Sequence, residues 1–230
     1  MSRDHILSSL RTSRASSTQW LVGEASRAPR DIPPHVLPPA ERLADQFSAE
    51  LRSLSGTVYR VADDAGAVAQ IGVILAEKGA SQVIAWDIGQ IGLGELAQLL
   101  AERGITIARA DIRGDGRKAR LQVLESTTVG ISGVEAGIAE SGSLLLRHGR
   151  GRPRTASLLA PYHIAVIRSG QLVRGLGEAL AQARARHGSD IFSDTSNLTL
   201  ITGPSRTADI EMTLSLGIHG PQEIHVVLIG

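Results

Sequence analysis

The chain has 230 residues, of which 42% are hydrophobic and 3% aromatic, with 24 Lys and Arg against 23 Asp and Glu and no cysteine. This near-balance of charge produces no net field toward nucleic acid or an anionic membrane, so neither is an expected partner. Without cysteine, the chain's own side chains cannot form a disulfide, a thiolate metal site or a thiolate-bound iron–sulfur cluster.

The N-terminal region is expected to be a helical extension to the folded core. Residues 2–20 lack the long apolar stretch of a secretory signal, and no apolar run elsewhere approaches the roughly 20 residues that span a bilayer. We therefore expect a cytoplasmic protein without membrane insertion. Residues 26–39 hold five of the nine prolines and predict an extended connector. The predicted organisation is an extension and connector over 1–38 and one domain over 39–230.

The first half of this domain predicts alternating helices and strands. Apolar residues from Leu43 to Leu54 recur at helical spacing. A βαβαβ run follows, with strands at Thr57–Val61, Gln82–Trp86 and Ile105–Ala108 and helices at Asp64–Lys78 and Gly94–Arg103. The short strands lack polar alternation, as do strands covered on both faces. The expected fold class is α/β with a largely parallel sheet and right-handed crossovers.

The second half predicts further strands and helices with a less regular middle. Strands are predicted at Thr127–Ile131, Ser143–Arg147, His163–Ile167, Asn197–Ile201 and Ile224–Ile229, and helices at Arg117–Glu125 and Leu172–Arg186. We also expect a helical turn at Val134–Ala139 and a loop-to-helix passage from Gly203 to Leu216.

The passage from Leu200 to Glu211 is the first candidate site. A strand leads into a Gly-Pro pair, and the expected helix start offers free backbone N–H groups to an anion. The planar fork of Arg206 suits a carboxylate or phosphate. Alternatively, a hydroxyl here caps the helix and Arg206 pairs with a nearby acid. The candidate ligand-binding residues are Gly203, Ser205, Arg206, Thr207 and Asp209.

The passage from Gly130 to Leu145 is the second candidate site. Its small residues allow backbone or ligand to approach closely, and they isolate Glu140 in a Gly/Ser-rich turn. A carboxylate in such a turn acts as nucleophile or general base if its pKa is tuned. The alternative is a solvated or backbone-bonded carboxylate.

Two further features complete the candidates. Arg150, Arg152 and Arg154 form a run that could clamp an acidic ligand, contact an acidic partner or lie solvated in a loop, and Arg154 is the one we assign to ligand binding. His219 is a candidate proton carrier or a structural histidine before a rigid Gly-Pro pair. The histidine spacing fits no metal site.

Four segments together resemble the LUD-domain family, in particular its C-type lactate-utilisation proteins. They are Gly-Ile-Ala-Glu-Ser-Gly-Ser at 137–143, Gly-Arg-Pro-Arg at 151–154 with Ala-Ser-Leu-Leu at 156–159, Thr-Gly-Pro-Ser-Arg-Thr-Ala-Asp-Ile-Glu at 202–211 and Gly-Ile-His-Gly-Pro at 217–221. The resemblance implies the three-layer α/β/α, Rossmann-like fold of the ribose-phosphate isomerase, glucosamine-phosphate deaminase and CoA-transferase superfamily.

The resemblance also implies a function. C-type proteins of this family resemble the cofactor-poor subunit of a system that oxidises L-lactate to pyruvate, with iron–sulfur clusters on partner subunits and none in this chain. We expect Arg206 to hold a small carboxylate ligand and Glu140 or His219 to handle a proton. Two alternatives remain open: a CoA-transferase-like acyl transfer through Glu140, and a module that binds partners without catalysis.

Overall fold

The computed structural model describes residues 3–25, 42–108, 110, 115–188, 191–192, 194–208 and 214–230. For residues 16–17, 19–25, 196, 207–208 and 214–216 it describes the backbone alone. The chain divides into two compact units, Met1–Ile32 and Pro33–Gly230. The first contains the helix α1, Arg3–Ala25, which corresponds to the expected helical extension.

The second unit contains the other helices and all the described strands. The helices are α2 Leu43–Ser53, α3 Asp64–Glu77, α4 Ile88–Ile91, α5 Leu96–Glu102, α6 Arg117–Ser126, α7 Thr155–Leu158 and α8 Leu176–His187. The strands are β1 Thr57–Val61, β2 Gln82–Ala85, β3 Thr106–Ile107, β4 Val129–Gly133, β5 Ala136–Ile138, β6 Ser143–Gly149, β7 Tyr162–Arg168, β8 Leu172–Val173, β9 Thr195–Ile201, β10 Arg206–Ala208, β11 Leu214–Leu216 and β12 Glu223–Ile229.

The main sheet has six parallel strands in the order β1-β12-β7-β4-β2-β3. Its central strands are buried along nearly their whole length, which explains their continuous apolar sequences. The register pairs Ile84 with Gly130, Gly130 with His163, and His163 with Ile224. Because side chains alternate between the faces of a strand, these four residues point to the same face.

That face is covered by α2, α7 and a second sheet of strand order β8-β5-β6-β9. A Cβ built on Gly130 would lie 1.8 Å from the carbonyl oxygen of Ala156 in α7. One built on Gly137 of β5 would lie 2.6 Å from Ile167 of β7. Both glycines therefore let the covering layer approach more closely than a side chain would permit.

The opposite face of the main sheet is covered by α3 and α5. The side chain of Asp63 accepts a 2.8 Å hydrogen bond from the N–H of Gly66 and begins α3, and Ile71, Ile74 and Leu75 bury its inner side. Helices on one face, and helices with a small sheet on the other, give three layers. Among the described residues, no helix combines the length and apolar character needed to cross a membrane.

The predicted βαβαβ run is confirmed, but three later predictions are wrong. Residues 136–138 form a strand beside β6 and not a helical turn. The helix predicted from Leu172 begins at Leu176, because Leu172 and Val173 pair with β5. In place of a helix start, Arg206–Ala208 pairs antiparallel with Leu214–Leu216. Each error concerns a short strand whose pairing overrides the local pattern: β5 with β6, β8 with β5, and β10 with β11.

The close approach at Gly130 yields a stability prediction. Gly130→Ala should lower the free energy of unfolding by at least about 2 kcal/mol, because the added methyl group meets backbone that cannot rotate away. Gly89→Ala is the matched control, since nothing lies within 4 Å of its added Cβ. Urea denaturation of both variants measures the difference, and equal midpoints would contradict the packing described here.

Candidate functional site

Three hydroxyl groups connect two of the candidate segments. The Oγ of Ser143 lies 2.8 Å from the Oγ of Ser141 and 2.7 Å from the Oγ1 of Thr202. The antiparallel pairing of Leu144 with Ile201 sets Ser143 beside Thr202 at the end of the β6–β9 ladder. We call these three residues the hydroxyl chain. It brings together segments that are about 60 residues apart in sequence.

The C-terminal end of α2 packs against both segments. A Cβ on Gly142 would lie 2.4 Å from the backbone nitrogen of Leu51, and one on Gly203 would lie 3.0 Å from Leu54. Both glycines have positive φ, of 62° and 80°, so other residues would be strained there as well as crowded. The position of the candidate site is therefore fixed by backbone contacts.

Arg206 binds the same end of α2. Its Nη2 donates to the carbonyl oxygen of Leu54 at 2.5 Å and to the Oγ of Ser55 at 3.3 Å. Carbonyl groups at a helix C-terminus have no partner within the helix and favour a nearby cation. The exposed guanidinium of Arg206 thus has a structural role in addition to any role in binding a ligand.

Ser205 joins the turn that carries His219. The N–H of Ser205 donates to the carbonyl of Pro221 at 2.8 Å, and the N–H of Gly217 donates to the carbonyl of Ser205 at 2.9 Å. His219 is exposed within this turn. The fold therefore brings the 202–208 and 217–221 segments together. A single site that includes Ser205 and His219 requires this proximity.

Glu140 lies in the turn between β5 and β6, next to the start of α8. Its Oε1 accepts a hydrogen bond from the N–H of Leu176 at 3.4 Å, and its own N–H donates to the carbonyl of Arg174 at 3.0 Å. A carboxylate is stabilised at the N-terminus of a twelve-residue helix such as α8. Glu140 thus has a fixed, half-buried position.

The remaining candidates lie apart from this group or outside the described atoms. Thr207 belongs to β10, where only its backbone is described, and Asp209 lies outside the described residues. Arg154 precedes α7, and its charge acts on His148. We predicted a helix start at Ser205, Arg206 and Thr207 whose backbone N–H groups would bind an anion. That prediction is wrong, because residues 206–208 are a strand.

A group of buried polar residues lies between the two sheets, and the sequence reasoning missed it. His148 and His163 are completely buried, and Trp86 is 4% exposed. Within the described part of the chain, several of their polar atoms, and those of three neighbours, have no hydrogen-bond partner. We call the group the inter-sheet cluster; its members are Trp86, His148, Arg152, Thr155, His163 and Asn197. Its signal in the sequence is a histidine within each of two apolar strands.

Burial keeps both histidines of this cluster neutral. Burial, together with the nearby His148 and His225, lowers the pKa of His163 to about 3. Burial also lowers the pKa of His148 to about 4. The backbone of Arg152 opposes the shift at His148, whereas the guanidinium groups of Arg154 and Arg152 add to it. Neither ring therefore carries a charge at neutral pH.

An open crevice of about 740 Å³ lies at the carboxyl ends of β1, β7 and β12, where ligands bind in many α/β proteins. Asp64 and Arg168 form a 2.8 Å ion pair along its wall. The hydrogen bond from Arg168 lowers the pKa of Asp64. Asp63 also lines the crevice, so two carboxylates stand against one guanidinium and the lining is net negative, which does not favour an anionic ligand.

Comparison with known proteins decides the family. A family model described as the LUD domain matches residues 44–229. The chain belongs to the LUD-domain family. A crystal structure of a DUF162 family protein from Deinococcus radiodurans superimposes with a TM-score of 0.56 at 19% identity, covering 84% of this chain and 100% of that one. The predicted three-layer, Rossmann-like α/β/α fold is confirmed.

Curated relatives of this LUD-domain protein carry the name Lactate utilization protein C. The one from Shouchella clausii is 33% identical over 153 residues, which cover 66% of this chain and 63% of the relative. The one from Macrococcus caseolyticus is 32% identical over 163 residues, which cover 68% of this chain and 64% of the relative. The chain thus spans slightly less than two thirds of the length of these relatives.

The described residues offer no cluster of three or more His, Asp or Glu side chains arranged to hold a metal ion. The closest approach to one is His225, whose Nε2 lies 2.9 Å from the Oε2 of Glu223. That carboxylate also binds Lys78 at 2.6 Å, so an ammonium occupies the place of a cation there.

The neutral histidines predict a pH dependence of stability. In the unfolded chain a histidine protonates below about pH 6.5, whereas folded His148 does so only near 4. The unfolded state therefore binds more protons in this interval, and stability present above pH 6.5 is lost as the pH falls toward 4, by up to about 3 kcal/mol for His148.

Comparing the unmodified chain with His148→Asn and His5→Gln measures this loss of stability at low pH. His148→Asn should lose about 2 kcal/mol less than the unmodified chain between pH 7 and pH 4.5 in urea denaturation. His5→Gln, at an exposed position in α1, should follow the unmodified chain throughout. Parallel curves for His148→Asn and the unmodified chain would show that His148 protonates normally in the folded state.

Proposed function

We propose that this LUD-domain protein is a subunit of an iron–sulfur-dependent system that oxidises L-lactate to pyruvate in the cytoplasm. The supporting observation is the similarity to proteins named Lactate utilization protein C, at 31% to 33% identity over 66% to 68% of the chain. The oxidation releases two electrons and two protons. A chain without cysteine offers no thiolate to bind a cluster, so the electrons pass to clusters on partner subunits.

In this proposal, Arg206 and the Gly203–Thr207 segment hold the carboxylate of the substrate. Among the described residues, both contacts of Arg206 are made by Nη2. Both bidentate edges of a guanidinium include Nη2, so a carboxylate binding here would accept a charge-assisted hydrogen bond from Nη1 while Nη2 keeps its two contacts. The bond to Leu54 then orients the guanidinium before the ligand arrives, which reduces the entropy lost on binding.

The proton from the lactate hydroxyl passes to Glu140 or His219. Glu140 is held by the backbone of α8, whereas His219 is exposed in the turn beside Ser205. The hydroxyl chain lies on the segments that carry Glu140 and Gly203, and its three O–H groups donate or accept as required. The proposal thus gives three of the four signature segments a part in binding the substrate or moving its proton, and the segment that carries Arg154 has none.

Replacing Arg206 tests the carboxylate assignment. Arg206→Ala should raise the KM for L-lactate about 10- to 100-fold in the complex purified anaerobically from lactate-grown cells, with lactate-dependent dye reduction as the assay. Arg52→Ala is the matched control, because Arg52 donates to the carbonyl of Val58 close to the same end of α2. An unchanged KM in Arg206→Ala, with iron–sulfur subunits still recovered, would remove Arg206 from the substrate site.

Replacing Glu140 separates lactate oxidation from acyl transfer. Glu140→Gln should lower kcat for lactate oxidation at least about 10-fold if the carboxylate takes the proton. Glu178→Gln, whose carboxylate accepts from the N–H of Arg174 near the same helix start, should keep the activity. An acyl-CoA that labels Glu140 as a thioester, with lactate oxidation unaffected by removal of this chain, would instead establish the CoA-transferase-like alternative.

A further inference from the structure

The inter-sheet cluster is drawn from separate elements that converge on one space. Trp86 follows β2, His148 lies in β6, His163 in β7, Thr155 in α7 and Asn197 in β9. The rings of Trp86 and His148 meet edge to face at 5.8 Å between centroids. These residues come together only when both sheets and α7 are assembled, so the cluster is a property of the complete fold.

The register of the strands shows that these side chains share the interior between the sheets. His148 lies opposite Asn197 in the antiparallel β6–β9 pair, so both point to one face. Leu144 and Leu146, on that same face, belong to the main core. His163 points toward them from the main sheet and lies 2.8 Å from the Oγ of Ser132. The short helix α7 contacts β2, β4 and β7 on the same side.

The cluster has an unusual number of unpaired polar atoms for so deep a position. Within the described part of the chain, seven buried atoms of its residues lack a well-formed hydrogen bond: Trp86 Nε1, both ring nitrogens of His148, Arg152 Nε, Thr155 Oγ1, His163 Nδ1 and Asn197 Oδ1. The backbone of Arg152 lies close enough to the His148 ring to raise its pKa, so this ring has a weak partner in the chain. Native proteins pair nearly all buried polar atoms with protein or with ordered water or ligand. The cluster is therefore arranged to contact a group other than the chain itself.

Three of the unpaired atoms are able to donate whichever tautomers the histidines adopt. The indole N–H of Trp86 and the Nε–H of Arg152 donate only, and the hydroxyl of Thr155 is able to donate. Each neutral histidine has one N–H, which for His163 is at Nδ1 when Nε2 accepts from Ser132, whereas the Oδ1 of Asn197 accepts only. These donors are complementary to a ligand with acceptor oxygens, such as a carboxylate.

The charges around the cluster also favour an anion. Arg152 and Arg154 act on His148, and Arg147 is buried on the other side of β6. Asp194 pairs with Arg147 and with Arg152, at 3.3 Å from the latter. Asp87 is a second carboxylate at this end, in contact with Gly151. The arginines outnumber the carboxylates, and the two neutral histidines leave the sign of the field unchanged.

We propose that the inter-sheet cluster is a buried binding site for a small monocarboxylate, distinct from the hydroxyl chain and Arg206. The carboxylate accepts hydrogen bonds from Trp86, Thr155 and the two histidines while Arg152 supplies the nearby positive charge. Small size is required because the ligand lies between packed sheets. The proposal does not depend on lactate oxidation, since it concerns binding by the chain itself.

Trp86 provides a direct readout. The chain has two tryptophans, Trp20 and Trp86, so Trp20→Phe leaves one indole N–H signal, which reports on the cluster. The full chain carrying Trp20→Phe is labelled with ¹⁵N and titrated with acetate, L-lactate, pyruvate and inorganic phosphate, with sodium chloride at matched ionic strength as the salt control. We expect a saturable shift of the Trp86 indole signal with at least one carboxylate and no shift with chloride.

Two added substitutions test whether the site is the one described. In the Trp20→Phe background, His148→Leu should weaken binding at least tenfold, whereas His225→Gln should leave it within twofold, since His225 points to the opposite face of the main sheet. His163→Gln, which retains a polar side chain of similar size, replaces His148→Leu if the latter does not fold by circular dichroism.

Three results would overturn the proposal. An indole signal that none of the carboxylates moves would mean that ordered water alone pairs the buried atoms. A shift with inorganic phosphate but with no carboxylate would assign the cluster to another class of anion. A saturable shift that persists unchanged in His148→Leu and His163→Gln would place the ligand outside the cluster.

Discussion

The fold depends on the close contact between Gly130 and the carbonyl oxygen of Ala156. No side chain other than hydrogen fits between the central strand β4 and α7 at this distance. The contact holds α7 against the main sheet just before the chain enters β7, and α7 covers the face to which His163 points. The enclosure of polar groups between the two sheets is thus a consequence of one glycine, because a larger residue would separate the layers.

The candidate site at α2 uses the same device at a different place. Gly142 and Gly203 allow two turns to reach the last residues of α2, and Arg206 then binds the exposed carbonyl there. The family-signature segments therefore converge through backbone contacts at the glycines. Among the described residues, the hydroxyl groups of Ser141, Ser143 and Thr202 contact one another and not the backbone of α2. The glycines thus fix the positions of the segments, and the polar side chains are not needed for that purpose.

The sequence predicted the parallel βαβαβ half well because its pattern is local. Strands such as Gln82–Ala85 are short and apolar after the first residue, and helices such as α3 have a capping residue at one end and glycine at the other. The second sheet was not predictable in this way. Its strand β5 is three residues long and pairs with β6 and β8. Strand β6 in turn pairs with β9, which comes from a later part of the chain. Local pattern does not contain pairing of that kind.

The candidate residues divide along the same line. Glu140, Ser205 and Arg206 were selected because Gly-rich turns at strand ends indicate sites in α/β proteins. The strands that precede them, β5 and β9, belong to the second sheet, where both pair antiparallel with β6, and not to the main parallel sheet. The helix start assigned to Arg206 was wrong, because a ribbon with β11 replaces it. The buried histidines were missed, since a histidine in an apolar strand has the same local sequence whether it is exposed at an edge or enclosed between layers.

Strand β6 connects the two polar regions and also separates them. Ser143, at its start, belongs to the hydroxyl chain, and His148, near its end, belongs to the inter-sheet cluster. Five residues of extended chain span about 17 Å, which exceeds the size of any three-carbon acid. One molecule of lactate therefore cannot contact both regions. A carboxylate bound at one of them leaves the other accessible, and the element that the two regions share is the β6–β9 ladder, whose register shifts between His148 and Gly149.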